Sequence, residues 1–171
     1  MALAAGLFRI GARGLRVCLV ASAALAAAGC GRHPSASPGP KPARAATRVV
    51  ALAPNLTEIV FALGSGASLV GVSDFSDFPE AARSVPRVGG LEVSAERVAS
   101  LTPDLVLATA EGGNRKGAVS ALEASGVPVL VVPGGSLDQV LSGIELVGVR
   151  LGREEEARRL TRSLRDRREA V

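Results

Sequence analysis

Residues 48–64, RVVALAPNLTEIVFALG, decide the fold. Arg48–Ala53 is an aliphatic run of strand length. Pro54-Asn55 breaks it, and apolar residues then recur at 56, 59, 60 and 63 with helical spacing. Gly64, Ser65 and Gly66 supply the stop. An apolar strand passing through a tight turn into a helix is the opening of a βαβ unit.

The alternation continues downstream. Leu69–Val72 is a second short strand, followed by the irregular stretch 73–90, SDFSDFPEAARSVPRVGG. Ser94 reads as the N-cap of a short helix over Ala95 to about Leu101. Pro103-Asp104 leads into a strand at Leu105–Ala108. The loop Glu111-Gly112-Gly113-Asn114 precedes a helix from about Arg115 to Ser125, which Gly126 closes. Val127–Val132 is a fourth strand, Pro133-Gly134-Gly135 turns the chain, and Ser136 caps a helix beginning near Leu137. Short loops between strands and helices predict right-handed βαβ units, and hence an α/β fold with a parallel sheet flanked by helices. The composition agrees: four Phe, no Trp and no Tyr leave a core of Val, Leu and Ala, suited to buried parallel strands.

From Leu137 the pattern stays helical to the end, with a break at Gly152. Residues 151–171 form a charged tail in which Ala157, Leu160, Leu164 and Val171 share one face. So narrow a stripe packs on one neighbour but makes no core alone. Two readings fit it: a solvated terminal helix, or a helix leading into a further part of the protein.

The first 47 residues belong to a different kind of segment. Arg9, Arg13 and Arg16 precede an apolar run from Val17 to Ala28, and the run ends at Gly29-Cys30. A basic region, a short apolar region and small residues make 1–29 a secretory signal. Ala27-Ala28-Gly29-Cys30 resembles a bacterial lipobox, although Ala27 stands where Leu is usual. Cys30 is then a lipidated anchor; the alternative is an ordinary cleaved signal. Residues 30–47, rich in Pro, Ala and Ser, read as a tether, reaching roughly 20 Å as a flexible coil. The expected location is the periplasm or cell surface, bound to a membrane through the lipid.

Charge excludes one class of partner. The formal +4 of the chain is concentrated at its ends, for from Arg48 to Gly152 seven bases face eleven acids. No basic patch with interleaved aromatics is visible, so nucleic acid is not an expected partner. The single histidine, His33, and both cysteines precede residue 34. A Ser-His-Asp triad, a cysteine nucleophile and a His- or Cys-ligated metal site therefore have no place in the folded part. Neither an enzyme nor a cofactor is expected.

In open α/β sheets ligands bind at the carboxyl ends of the strands. Those ends are Pro54-Asn55, residues 73–78, residues 109–114 and residues 133–136, all rich in Gly, Pro and small polar residues. Phe75 and Phe78 are the aromatics nearest this rim, as packing under a loop or as a ligand platform. Gly64-Ser65-Gly66 follows a helix, which disqualifies it as a dinucleotide loop. Asp74 and Asp77 suit turn capping better than metal binding.

The stretches RVVALAPNLTEIVFALG, LVGVSDFSDFPEAARSVPRVGG, SAERVASLTPDLVLA and GVPVLVV, in that order, resemble the N-terminal lobe of periplasmic binding proteins of the cobalamin and ferric-siderophore ABC-importer class. The likeness covers residues 48–150. It implies one lobe of a two-lobed protein, with 151–171 as the start of a long, truncated interlobe helix. It also implies a role in capturing cobalamin or a related metal chelate and delivering it to a permease and ATPase complex. Ferric-siderophore or haem binding, or a solitary interaction module, are the alternatives. By the same resemblance Pro54, Asn55, Phe75, Phe78, Gly112, Gly113 and Asn114 line the ligand, and Glu96 docks on the permease. Cobalamin-binding relatives often carry Trp near the places of Gly89-Gly90 and Ala110; here both are missing.

Overall fold

A computed structural model describes residues 44–110 and 116–170. Four parallel strands form one sheet in the order β2-β1-β3-β4. These are β1 (Val49–Ala51), β2 (Leu69–Val72), β3 (Leu105–Thr109) and β4 (Val129–Val132). Five helices connect and follow them: α1 (Pro54–Ala62), α2 (Ala95–Ser100), α3 (Lys116–Ala124), α4 (Leu137–Leu151) and α5 (Glu154–Glu169). The α/β parallel architecture expected from the sequence is the one observed.

Alternation within fully apolar strands produces two cores rather than one inside and one outside. Val49 and Ala51 of β1, with Leu105 and Leu107 of β3, pack with residues of α1 and α4. Val50 and Leu52, with Val106 and Ala108, pack instead with Val98 of α2 and Leu122 of α3. Both faces of the central strands are thus covered, which is why they read as unbroken aliphatic runs. β2 departs from strict alternation. Leu69 and Val72 lie three apart yet share the α1/α4 face, because the register slips by one between Val49↔Leu69 and Val50↔Gly71. Gly71 falls at this irregularity, where an added Cβ would stand 2.7 Å from Leu101 and 2.9 Å from Val88.

Several element boundaries differ from the sequence reading. The strand expected over Arg48–Ala53 is only Val49–Ala51, and Pro54-Asn55 opens α1 instead of breaking before it. Proline suits that place, since its ring presets φ and the first helical N–H groups lack partners inside the helix. The fourth strand starts at Val129 rather than Val127, just after Pro128. The capping expectations hold. Ser94 Oγ accepts from Arg97 N at 3.2 Å, and Ser136 Oγ accepts from Gln139 N at 3.3 Å.

The charged tail folds back on its predecessor. Gly152 adopts φ 65° at the end of α4, a left-handed conformation that glycine reaches without strain. α5 then runs antiparallel to α4. Thr161 Oγ1 donates to Glu145 Oε1 at 3.1 Å, and Arg168 near the end of α5 meets Asp138 at the start of α4 at 3.1 Å. Ala157 and Thr161 are buried, and Leu160 and Leu164 pack half-buried against the core. The narrow apolar stripe has therefore found the single neighbour it needs. Val171 lies outside the described residues.

At the amino edge of the sheet, Asp104 ties β1 to β3. Its carboxylate accepts from Thr47 N at 2.9 Å, Thr47 Oγ1 at 2.9 Å and Arg48 N at 2.9 Å. Burial alone would raise its pKa, but the bonds from Thr47 and Arg48 outweigh burial and hold it below the ordinary carboxylate value. Its stabilising effect is present above the unfolded carboxyl pKa and is lost as pH falls through the lower folded value. Asp104→Asn should therefore cost about 1 kcal/mol at neutral pH, allowing for solvent screening. The deficit should shrink toward zero in denaturant titrations repeated at increasingly acidic pH; a deficit independent of pH would refute the carboxylate clamp.

Candidate functional site

The chain connection reverses direction between β1 and β3: β1 leads outward to β2, while β3 leads the other way to β4. The carboxyl ends beside such a switch point leave a crevice where ligands of open α/β sheets bind. The start of α1 and the loop after β2 stand on this rim, as the sequence predicts. Pro54 is half-buried and Asn55 exposed in the first turn of α1. The loop residues Gly112, Gly113 and Asn114 fall outside the described residues.

The loop after β2 is the best-defined part of the rim. Ser76 N donates to Ser73 O at 3.0 Å, closing a turn with Asp74 and Phe75 at its tip. Beneath it lies a chain of buried hydroxyls. Ser73 Oγ is 2.9 Å from Ser76 Oγ, which is 2.9 Å from Thr57 Oγ1 of α1. Thr57 also donates to Ala53 O at 3.3 Å. One consistent direction of donation runs from Ser73 through Ser76 and Thr57 to that carbonyl, so every hydroxyl in the chain finds an acceptor. This links the β1–α1 connection to the loop after β2.

The rigid turn holds its aromatics outward. Phe75 is 53% exposed and Phe78 69% exposed, so neither serves as packing under the loop. An exposed phenyl group on an ordered loop is an unmet apolar surface suited to a flat, apolar ligand. Phe75 leans on a second turn, 89–93. A Cβ added to Gly90 would lie 3.0 Å from the Phe75 ring, so the ring rests against that backbone. Gly89 has φ 116° and pairs with Val93, and Leu91 at the tip is 68% exposed. Phe75, Phe78 and Leu91 are the large apolar side chains these two loops expose.

Glu96 is exposed in the first turn of α2. It stands among other exposed acids on the same stretch, Asp74, Asp77, Glu80 and Glu92. Asp77 does not bind its own turn through its carboxylate but approaches Arg87 at 3.5 Å. Sequence reasoning missed four residues that shape the loop: Thr57, Ser73, Ser76 and Arg87. The signal available was the Ser-x-x-Ser spacing of 73 and 76, a pattern for local hydroxyl bonding. Arg87 had no comparable signal, because its partners are backbone carbonyls 14 and 11 residues away.

A concavity also opens elsewhere on the described surface. A cleft of about 420 Å³ at the amino edge is lined by Ala45, Ala46, Gly64, Ser65, Gly152 and Arg153, among others. The rim is the better site, because it combines the switch point with exposed aromatics, whereas the cleft lies where the chain enters the lobe.

Comparison with known proteins bears out this architecture. Residues 49–171 match the family model described as periplasmic binding protein, and the chain belongs to that family. A vitamin B12-binding protein of Yersinia pestis is 39% identical over 105 residues, covering 61% of this chain and 37% of its own length. Among solved structures, a periplasmic heme-binding protein from Pseudomonas aeruginosa superposes with a TM-score of 0.68 at 32% identity. It aligns over 73% of this chain and 46% of its own. A periplasmic vitamin B12-binding protein of Vibrio cholerae gives a TM-score of 0.68 at 30% identity, over 73% and 49%. The chain thus spans less than half the length of the relatives it matches. Membership places it among the periplasmic binding proteins.

Proposed function

We propose that this lobe supplies one side of a binding site for a metal chelate of the cobalamin, haem or siderophore group, within the solute-binding protein of an ABC importer. The observation that carries the proposal is the ordered 73–78 loop, which holds Phe75 and Phe78 exposed at the sheet's switch point. Relatives bearing the same lobe are described as vitamin B12-binding and heme-binding proteins, which supports the chelate class rather than one member of it. In this reading Cys30 anchors the protein to the membrane. Glu96, within its exposed acidic stretch, meets a cationic surface on the permease.

Composition narrows how a chelate is held. Every His, Cys and Met lies in the first 33 residues, and Tyr is absent. The lobe therefore offers a bound metal no imidazole, thiolate, thioether or phenolate donor, which leaves apolar contact, hydrogen bonding and the exposed loop carboxylates. That suits a chelate whose metal is already saturated by its own ligands.

With no Trp or Tyr to report binding, equilibrium dialysis against cyanocobalamin, haemin and ferrichrome is the direct test. Saturable binding of at least one is expected. Bound cyanocobalamin should keep the visible spectrum of the free compound, because the lobe has no imidazole or thiolate to compete with cyanide for the cobalt. Failure of all three to bind would overturn the proposal, and a spectrum showing displaced cyanide would overturn the mode of binding.

A further inference from the structure

We infer that Arg87 is a positioning residue for the aromatic loop, the clamp that keeps Phe75 and Phe78 in binding geometry; the inference rests on the ligand-site reading above. Arg87 Nη1 donates to Ser73 O at 2.8 Å and to Ser76 O at 2.9 Å. Those two carbonyls are the ends of the turn that carries Phe75. One guanidinium nitrogen thus spans the mouth of the turn, while the hydroxyl chain from Ser73 to Thr57 holds it from beneath. The second nitrogen reaches Asp77 Oδ1 at 3.5 Å, and Arg83 Nε lies 3.4 Å from Asp77 O.

The base of the clamp is itself fixed. Arg87 forms a parallel bridge with Val72, where Val72 N donates to Pro86 O at 2.9 Å and Val88 N donates to Val72 O at 3.0 Å. Arg97 Nη1 approaches Arg87 O at 3.4 Å. The segment 86–88 therefore continues the sheet beyond β2, and the side chain springs from ordered backbone. Its exposure is 28%, so the guanidinium works partly shielded from water, where a charge-assisted bond to a carbonyl is stronger than at the open surface.

The physical consequence is preorganisation. A loop that samples other conformations binds with an affinity reduced by the fraction of time it spends in the competent one. Lysine is a poor substitute, because its side chain ends one atom short of the position of Nη1 and its rotating ammonium is not held in a plane that aims two N–H groups at the two carbonyls. Asp77 is the least important partner, since its contact is long and its side chain is exposed.

The test compares wild type with Arg87→Lys, Arg87→Ala and Asp77→Asn, reading two quantities. The first is the dissociation constant for whichever of cyanocobalamin, haemin or ferrichrome the wild type binds. The second is amide hydrogen exchange at Ser76 and Asp77, with the amides of β3 as internal reference. Arg87→Lys and Arg87→Ala should each weaken binding roughly 10-fold and speed exchange at Ser76 and Asp77 by a similar factor, leaving β3 unchanged. Asp77→Asn should behave as wild type. Unaltered affinity with unaltered loop exchange in Arg87→Lys would sink the inference. So would acceleration that spreads equally to β3, which would make Arg87 a general stabiliser. Should Arg87→Ala fail to fold, Arg87→Lys decides alone. Should the wild type bind none of the three chelates, the ligand-site reading fails; exchange in Arg87→Lys then still decides the clamp, faster loop exchange supporting it and unchanged exchange refuting it.

Discussion

Gly148→Val is expected to cost about 3 kcal/mol and to lower the melting temperature by roughly 10 °C. Gly148 is buried on α4 at the point where α5 crosses it. A Cβ there would sit 2.5 Å from the Cβ of Ala157 and 3.1 Å from Arg153 O. Neither neighbour is the end of a flexible side chain, so the helices must separate. Separation would expose Leu160 and Leu164 and loosen the contact of Thr161 with Glu145. Gly117→Ala is the matching control, because its Cβ would meet nothing within 4 Å. Gly117 lies near the start of α3, where replacing glycine by alanine should stabilise by up to about 0.8 kcal/mol. Thermal melts followed by circular dichroism would measure both. A Gly148→Val protein as stable as wild type would mean that α5 does not lie against α4 as described.

The second large effect concerns binding alone. Phe75→Ala combined with Phe78→Ala should weaken chelate binding at least 100-fold, about 2.7 kcal/mol, as expected for two aromatic anchors at the centre of a site. Stability should change little, since both rings are more than half exposed. Phe78→Ala alone isolates the more exposed ring, whereas removing Phe75 also bares the Gly90 backbone it covers. The readout is equilibrium dialysis beside a thermal melt. Retained affinity in the double variant would remove the aromatic loop from the site.

Much of the fold was legible in local pattern. The aliphatic runs, the helical spacing through Leu63, and the serine caps at 94 and 136 report interactions confined to a few neighbouring residues. Such interactions leave marks at fixed offsets. The boundary errors have the same origin in reverse. Pro54 breaks a strand and starts a helix equally well, and only the following hydrogen bonds decide which. The candidate site was legible to the level of the loop that carries it. What shapes that loop was not, because Thr57, Ser76 and Arg87 come from three separate segments.

The sequence by itself determined the class of fold and the exclusion of histidine or cysteine chemistry from the lobe, and it alone carries the expectation of an export signal and tether before residue 48. Composition and periodicity suffice for these, since each depends on which residues are present and how they alternate. The tertiary structure alone decided that the two phenylalanines face solvent, that the charged tail returns along α4, and that one arginine bridges the ends of the aromatic turn. Each of these depends on groups far apart in the chain being brought within about 3 Å, a distance at which hydrogen bonds form and which no spacing along the sequence encodes.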